Sequence, residues 1–433
     1  MRTTFATLPL FALVAIAPAI CVAAQPERDA TVANLRVVQN AARAQRPAMT
    51  LAELEDFAMS NHPGLGRATA QLRAARGDWL QSGLPPNPVV GYSGNQMGDL
   101  GTAGQQGGYV EQEFVTGGKL RLNRAAAAAE VRTRDQQLRG MQMRVVNDVR
   151  LRFYDVLVAQ QSRDLAGRLQ FVAEEGARTA EALRKAEEGN RIDLLQAQIE
   201  VQNAQITAIN AGNRYLSAWR QLAAVVGMPY LAPQPLAGSL QGAIPTLDFN
   251  SMVDRLYAES PERAASLAQV VRARWTLQRE LAEPTPNINV QTLIQQNQVT
   301  DEANISVQAT FPLPLWNRNQ GGVRRAQADV AAAQTNVSRV ELDLQQRLAA
   351  AFERYSNARQ QVDRYEKSIL PAAEESLRLV TAGWQQGEFD YLTRLTSQRT
   401  FFQVNLAYLT ALGDLRASVI EIEGLLLTDS LKE

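Results

Sequence analysis

Strict alternation of apolar and polar residues marks the clearest predicted strand. Residues 304–311 read NISVQATF, and residues 287–291, NINVQ, alternate in the same way. The apolar positions of the longer run are Ile305, Val307, Ala309 and Phe311. The positions between them carry amide and hydroxyl side chains. A period of two predicts a strand between two different environments, here one apolar and one suited to water.

Two weaker strand candidates lie in the first half of the chain, at residues 88–96 and 108–115, with Gly, Asn and Asp as turn residues between them. At about ten residues, such runs are long enough to span a membrane. A soluble antiparallel sheet with one dry face is the alternative, and alternation by itself favours it. However, four strands cannot close a transmembrane barrel, because the smallest have about eight. Open sheet edges cannot lie in lipid either. The strands therefore form a soluble sheet or one chain's share of a barrel built by several chains.

Long helices with a heptad pattern occupy much of the remaining chain. The pattern predicts a helix of about 60 residues, or roughly 90 Å, over residues 322–383, and a counterpart over residues 120–188. After Leu348, the predicted seam contains Ala351, Tyr355, Ala358, Val362, Tyr365 and Ile369. The buried face of the counterpart is marked by Val145, Val149, Phe153 and Val156. Because average helices have about 12 residues, helices this long predict an elongated coiled-coil body. Shorter helices over residues 192–226 and 391–426 return antiparallel, with small residues at Ala197, Ala204, Ala208 and Ala211 that allow close approach.

The same order of elements occurs twice, at an offset of about 198 residues. Each half begins with a helix of about 30 residues, predicted at 50–81 and 250–281, which proline-rich turns terminate. Two strands and two long helices follow, and a glycine turn separates the helices, with Gly189 paired to Gly387. The predicted domains are a first repeat at 50–230, a proline-containing linker at 231–245, a second repeat at 246–427 and a C-terminal tail at 428–433.

The N-terminus has the features of an export signal. Arg2 precedes an apolar stretch over residues 5–20, and small residues end at Ala24. This pattern predicts a signal peptide over residues 1–24, followed by an N-terminal extension over residues 25–49. Lipidation of Cys21 is the competing interpretation, although Ile20 fits poorly before a lipidated cysteine. Cleavage after Ala24 leaves no cysteine in the mature chain, which suits an oxidising periplasm.

Composition narrows the classes of function. The chain has 44 Lys+Arg, 44 Asp+Glu, one His and one Cys. Zero net charge argues against a nucleic-acid partner, because phosphate binding needs a basic face. The single His and Cys exclude a disulfide framework and a site built from several histidines. No apolar run of 18 residues lies beyond the N-terminus. We therefore expect no enzyme, no cofactor and no transmembrane helix.

Several motifs, in a fixed order, give the chain a family resemblance. They are LPPNP at residues 84–88, FVTGGKLR at 114–121, and FPLPLWNRNQGG at 311–322 with Ala326 and Ala328 after it. Later matches are Tyr391-Leu392-Thr393, Gln398-Arg399 and residues 408–412. With these motifs, the chain resembles the TolC-like outer-membrane efflux family over nearly all its mature length. Within that family it is most similar to the CzcC and CusC branch, which is associated with heavy-metal export.

The resemblance implies a mixed α and β, mostly helical fold with long antiparallel helices forming a periplasmic tunnel. It also implies a homotrimer, in which four strands per chain give a twelve-stranded transmembrane β-barrel in outer-membrane lipid. The implied function is a passive exit duct that performs no chemistry. Its implied partners are a periplasmic adaptor (membrane fusion) protein and an inner-membrane RND-type pump. A channel of the same fold that exports drugs, other small molecules or polypeptides remains the alternative, because the pump largely determines the cargo.

Family likeness also suggests where docking and gating occur. In the family, the turns between the long helices form the periplasmic tip, where the tunnel narrows and the adaptor docks. The corresponding residues here are Arg184, Gly189, Asp193, Leu194, Trp384, Gly387, Asp390 and Tyr391. Asp193 stands where the family has a tip aspartate, and Thr393 or Thr396 takes that place in the second half. Trp384 replaces a family tyrosine. The alternative is that these residues only cap helices.

A few other residues are candidates for contact with cargo. Glu111 and Glu113 share one face of a strand and predict a cation-favouring ring in the lumen, or else an ordinary exposed pair. His62, just before Pro63, is interpreted as a helix-start residue rather than a metal ligand. Met141 and Met143 offer soft sulfur atoms, but the spacing of Met141 from Leu138 and Val145 favours helix packing. No metal-binding residue is predicted.

Overall fold

The computed structural model describes residues 48–98, 101, 103–187 and 189–432. The predicted signal peptide, the alternative lipidation of Cys21 and nearly all of the N-terminal extension lie outside these residues. In the first half the elements are α1 (Leu51–Asn61), α2 (Pro63–Gln81), β1 (Val89–Asn95), β2 (Gln105–Phe114), α3 (Lys119–Lys185) and α4 (Arg191–Val225). In the second half they are α5 (Phe249–Glu259), α6 (Pro261–Ala282), β3 (Ile288–Asn297), β4 (Glu302–Thr310), α7 (Gln320–Arg364), a π-helix (Tyr365–Ile369), α8 (Leu370–Gln385) and α9 (Tyr391–Glu423). The predicted repeat of element order is confirmed.

Each half opens with two helices rather than the single one predicted. The breaks fall at His62 and Ser260, whose backbones are extended, with ψ of 122° and 119°. The cause is Pro63 or Pro261 immediately after, because a proline ring disfavours helical backbone in the residue before it. Each proline then occupies the start of the next helix, where its missing N–H is not needed.

The four strands form one antiparallel sheet in the order β1-β2-β3-β4. Every predicted strand is confirmed. Across the sheet, Val90, Val110, Thr292 and Val307 align on one face, whereas Glu111, Gln291 and Gln308 align on the other. The apolar face is uncovered by the rest of the chain, and Ile305 on it is 70% exposed. The sheet is therefore a two-sided layer with one apolar and one mainly polar surface.

Both outer strands of this sheet keep an open edge. Among the described residues, β1 pairs only with β2, and β4 pairs only with β3. Unpaired edges present rows of free N–H and C=O groups that readily bind another strand. The sheet thus has a place for a further chain on each side.

The long helices match their predicted extents closely. α3 has 67 residues, roughly 100 Å of helix, and α7, the π-helix and α8 run on without interruption from Gln320 to Gln385. The predicted buried faces are confirmed along α3 and along α7 as far as Val362. Within the described part of the chain, no helix combines the length and the apolar character needed to cross a membrane.

The heptad seam ends earlier than predicted. Ile369, placed on the seam, is 38% exposed, because the π-helix winds the chain more loosely and rotates the following side chains off the seam. Pro371 explains this local winding, since a proline within a helix cannot donate the usual backbone hydrogen bond. Tyr408 of α9 braces the segment by donating to Glu366 Oε1 (2.7 Å). Burial raises the pKa of Tyr408 to about 12.

The main core lies where the two halves meet. Val145, Val149 and Phe153 of α3 pack in one cluster with residues that include Leu348 of α7 and Leu412 of α9. Met141 is buried in this cluster, and Met143 packs against it. Helix packing therefore accounts for both methionines.

Side-chain hydrogen bonds attach the linker to the helices beside this core. Buried Arg416 of α9 donates from Nε to the Leu240 carbonyl (3.0 Å), and Trp219 of α4 donates to the Leu231 carbonyl (2.8 Å). Met49 forms a parallel bridge with Leu236. The segment predicted as the linker is thus held against α4 and α9.

Candidate functional site

Two short turns join the long helices at the end distant from the sheet. The α3–α4 and α8–α9 turns have the same build at an offset of 200 residues: their helices end at Lys185 and Gln385 and resume at Arg191 and Tyr391. Among the described residues of the two turns, the left-handed backbone is at Glu187 (φ 60°) in the first and at Gly387 (φ 80°) in the second. The structural equivalent of Gly387 is therefore Glu187, and the predicted pairing of Gly189 with Gly387 is wrong by two residues. The offset of 200 pairs Asp193 with Thr393.

Gly387 and Gly189 are suited to their positions for different reasons. Gly387 closes α8 with two hydrogen bonds, from its own N–H to the Trp384 carbonyl (3.1 Å) and from the Glu388 N–H to the Gly383 carbonyl (2.8 Å). This helix ending needs a left-handed residue, for which glycine is favoured. Gly189 instead lies close to other backbone, since a Cβ there would be 2.9 Å from the Arg184 nitrogen.

Helix capping explains the positions of several residues at and beside the predicted tip. Asn190 Oδ1 accepts from the Ile192 N–H (3.1 Å), and Asp390 Oδ1 accepts from the Thr393 N–H (2.9 Å). The hydrogen bonds from Thr393 lower the pKa of Asp390. Asp193 lies in the first turn of α4, where the helix dipole favours a carboxylate. Arg184 is exposed in the last turn of α3, where a cation is favoured.

Tyr391 connects the two helical hairpins, the first formed by α3 and α4 and the second by α8 and α9. Its ring packs against a small cluster in the first hairpin that is separate from the main core and contains Ala177, Ala180, Leu194 and Ala197. Burial raises the pKa of Tyr391. Gly176 leaves room for the ring, because a Cβ at that position would lie 3.2 Å from the Tyr391 hydroxyl oxygen. Tyr391 therefore holds the start of α9 against α3 and α4.

An ion pair joins the hairpins farther along the helices. Glu200 of α4 is only 5% exposed, and its Oε2 accepts from Arg399 Nε (2.8 Å) and from Arg399 Nη2. The hydrogen bond to Glu200 raises the pKa of Arg399. The Arg399 side chain is partly exposed, whereas Glu200 is buried, so removal of Arg399 would leave a buried carboxylate unpaired, which is costly. Tyr391 and this ion pair together form a junction that we call the tip junction.

Within the second hairpin, a stacked pair of side chains joins α9 to α8. The Arg394 guanidinium lies over the Trp384 ring, 4.0 Å from its centroid. Burial lowers the pKa of Arg394, whose Nε has no hydrogen-bond partner among the described residues. The stacking attaches α8 to α9 just above the Gly387 turn.

The site residues that were not predicted from the sequence are Gly176, Glu200, Arg394 and Arg399. One signal was available for Glu200. It lies on the same helical row as Leu194, Ala197 and Ala204, so it is an acidic residue within a stripe of small and apolar residues. Because Lys, Glu, Arg and Asp are almost never buried unless paired, that position predicts a cationic partner.

An uncovered apolar stripe follows α4. It consists of Ile192, Leu195, Ile199, Ile206, Ile209 and Leu216, all of which are exposed. Their spacing of three, four and seven residues is a heptad pattern, typical of a helix that packs against another helix. This face points away from the chain's own core, because the buried residues of α4, such as Ala197 and Ala204, lie on other positions of the helix. We call it the α4 stripe.

The predicted lumen carboxylates lie on the sheet, at the opposite end of α3 from the tip. Both are on the polar face. Glu113 Oε1 accepts from Asn287 Nδ2 (2.7 Å), and Asn287 Oδ1 accepts from buried Lys119 (2.9 Å). Glu111 faces Gln291 and forms no ion pair among the described residues. The part of the chain that the structure describes contains no group of three His, Cys, Asp or Glu placed to hold a metal ion.

Comparison with known proteins shows that the chain is similar to outer-membrane proteins. The family model described as "Outer membrane efflux protein" matches residues 56–228 and 252–426, together most of the chain. The two matched segments correspond to the two repeats.

Two curated relatives have metal resistance in their names. The chain is 26% identical over 382 residues to the cobalt-zinc-cadmium resistance protein CzcC of Cupriavidus metallidurans, covering 87% of this chain and 90% of that protein. It is also 26% identical over 316 residues to the nickel-cobalt-cadmium resistance protein NccC of Alcaligenes xylosoxydans xylosoxydans, covering 69% and 68% of the two chains.

The fold also matches solved structures. A crystal structure of CusC, described in terms of folding and transmembrane channel formation, aligns with a TM-score of 0.72 at 16% identity. The alignment covers 88% of this chain and 92% of CusC. Agreement over such a length includes both the sheet and the long helices.

Proposed function

The chain belongs to the outer membrane efflux protein family, and we propose that its cargo is divalent heavy-metal cations, with cobalt and cadmium foremost. The chain is an outer-membrane efflux channel whose helices extend into the periplasm. The observation that carries the choice of cargo is similarity over 87% of its length to a cobalt-zinc-cadmium resistance protein. The second relative's name also contains cobalt and cadmium.

The working unit that we propose is a homotrimer. β1 and β4 each have an open edge, so three copies of the sheet close into a barrel of twelve strands. The exposed apolar face then meets lipid, and the polar face lines the lumen. The α4 stripe provides a second contact, since its heptad spacing fits a helix of the neighbouring copy.

The partners that we propose act at the periplasmic end. A periplasmic adaptor binds the tip formed by the two turns, and an RND-type pump in the inner membrane supplies cargo and energy. The channel itself performs no chemistry and uses no cofactor.

In the lumen, we assign the charge that favours cations to Glu111. Glu113 is linked through Asn287 to the cation of Lys119, so its charge is partly compensated. Across the strands Glu111 faces Val89 and Gln291, neither of which is charged. A trimer places three copies of Glu111 around the pore, where like carboxylates attract cations.

Deletion of the gene should sensitise the host to cobalt, cadmium and zinc more than to lipophilic dyes or detergents. The reason is that cations delivered to the periplasm lose their exit route. Minimal inhibitory concentrations of the metals and of the dyes are compared in the parent, the deletion strain and a strain carrying the gene on a plasmid. Unchanged metal tolerance together with new dye or detergent sensitivity would instead support the export of drugs through the same fold.

A further inference from the structure

The chain after α9 turns back and docks on α3. We call residues 424–430 the C-terminal strap. Asn147 Nδ2 donates to the carbonyls of Gly424 (2.9 Å) and Leu427 (2.7 Å). Asp148 accepts from the backbone N–H of Asp429 (3.0 Å) and from that of Ser430 (2.6 Å). Two adjacent polar residues of α3 thus hold most of the strap.

The conformation of the strap depends on this docking. Three of its residues that are not glycine have left-handed backbone, namely Leu425, Leu426 and Asp429. Such conformations persist only where surrounding contacts enforce them. The contacts here are the hydrogen bonds to α3 and the burial of the three leucines at 425–427 in the main core. Loss of any link in the docking site therefore favours release.

The only histidine of the chain completes the docking site. His62 is 3% exposed, its Nδ1 accepts from the Gly64 N–H (3.1 Å), and its Nε2 lies 3.3 Å from Ser430 Oγ. Because Nδ1 is an acceptor, the neutral ring carries its proton on Nε2 and donates to Ser430. The Ser430 hydroxyl in turn donates to Asp148 Oδ2 (2.6 Å). One chain of hydrogen bonds therefore runs from the start of α2, through the strap, to α3.

We propose that His62 is a proton switch for the C-terminal strap, and that protonation of its Nδ1 releases the strap from α3. A proton on Nδ1 faces the Gly64 N–H, so two donors oppose each other and the cap of α2 is lost. The positive charge on the ring is also unfavourable because the site is buried.

The sign of the pH dependence follows from the surroundings. Burial lowers the pKa of His62, and the negative charge of Asp148 offsets this only in part. Asp429 and Lys432, at the end of the same segment, pair with each other (Nζ–Oδ1 3.0 Å). After release, the hydrated ring regains an ordinary pKa of about 6.5. Docking is therefore complete above about pH 6.5 and weakens as the pH falls through the lowered pKa of the docked state.

Hydrogen–deuterium exchange of the full-length protein in detergent tests the proposal. Exchange of peptides covering residues 424–432 is measured between about pH 7.5 and about pH 5 and corrected for the intrinsic pH dependence of exchange. We expect several-fold faster exchange at the acid end, because a pKa that is lower in the docked state means that protonation favours the released strap. His62→Asn should remove the pH response, because asparagine caps a helix well and does not titrate in this range.

Ser430→Ala provides an independent variant that leaves His62 in place. Without the hydroxyl, the strap loses its side-chain hydrogen bonds to His62 and Asp148. Docking is then weaker at every pH, so half-release should occur at a higher pH than in the parent. A parent strap whose exchange does not change with pH would overturn the proposal. So would an equal acid response in His62→Asn, or an unchanged midpoint in Ser430→Ala.

Discussion

Ile206→Asp is expected to leave the protein as separate chains in detergent. Ile206 lies in the middle of the α4 stripe and is 56% exposed in the single chain. In the proposed trimer it packs against a neighbouring helix, where burying an isoleucine is worth about 1.5–3 kcal/mol. A carboxylate there loses that contribution and adds the cost of burying an unpaired charge. Because symmetry repeats the change at three interfaces, assembly should fail.

Asn210→Asp is the matched control. Asn210 is an exposed polar residue of the same helix, beside the stripe rather than on it. The substitution introduces the same charge as Ile206→Asp, and aspartate has nearly the same shape as the asparagine that it replaces. Light scattering and chemical cross-linking of the purified proteins should give three-chain particles for the parent and for Asn210→Asp, and single chains for Ile206→Asp. Three-chain particles in all three samples would exclude the α4 stripe as the interface between copies.

Tyr391→Ala is expected to open the periplasmic end of the channel. Tyr391 fills the space between the hairpins, and truncating such a side chain costs about 2 kcal/mol or more. In the proposed trimer the junction occurs three times, so a closed tip loses several times this amount. A shift of about 2 kcal/mol already changes a two-state equilibrium by more than tenfold. Single-channel recording in planar bilayers should show higher conductance or a larger open fraction.

Three further variants separate this role from simple damage. Tyr391→Phe keeps the ring that fills the cluster, so it should conduct like the parent. Trp384→Ala removes the surface on which Arg394 stacks and should also raise conductance, although less than Tyr391→Ala. Gly387→Trp places a bulky residue at φ 80°, and we expect it to abolish export while trimers still reach the outer membrane. If Tyr391→Ala and Trp384→Ala conduct like the parent, the gate lies elsewhere.

Local periodicity predicted the long helices and the clearest strands of this fold. Alternation predicted β3 and β4, and the heptad pattern predicted α3 and α7, because each reflects burial of one face of a single element. The strands β1 and β2 were weaker candidates, marked by the turn residues between them. The repeat and the family motifs then predicted a channel, and the family match confirms it. The breaks at Pro63 and Pro261 could also have been predicted, since the residue before a proline avoids helical backbone.

Features that depend on contact between distant segments could not be predicted in this way. The Glu200–Arg399 pair and the packing of Tyr391 beside Gly176 join residues about 200 positions apart. No periodic signal in either hairpin specifies the other. The glycine pairing failed for a related reason: a left-handed position is usually glycine, but Glu187 occupies it in the first turn. Matching glycines therefore shifted the comparison by two residues.

Planar-bilayer recording of the purified parent protein beside Tyr391→Ala tests most directly whether the protein is an outer-membrane duct gated at the tip. We expect discrete, long-lived conductance steps that need no energy source, with larger steps or a greater open fraction in the variant. Ile206→Asp should give no steps, because the pore requires three chains. Absence of steps in both the parent and Tyr391→Ala, from a protein that remains a monodisperse monomer without detergent, would contradict the assignment as an outer-membrane duct.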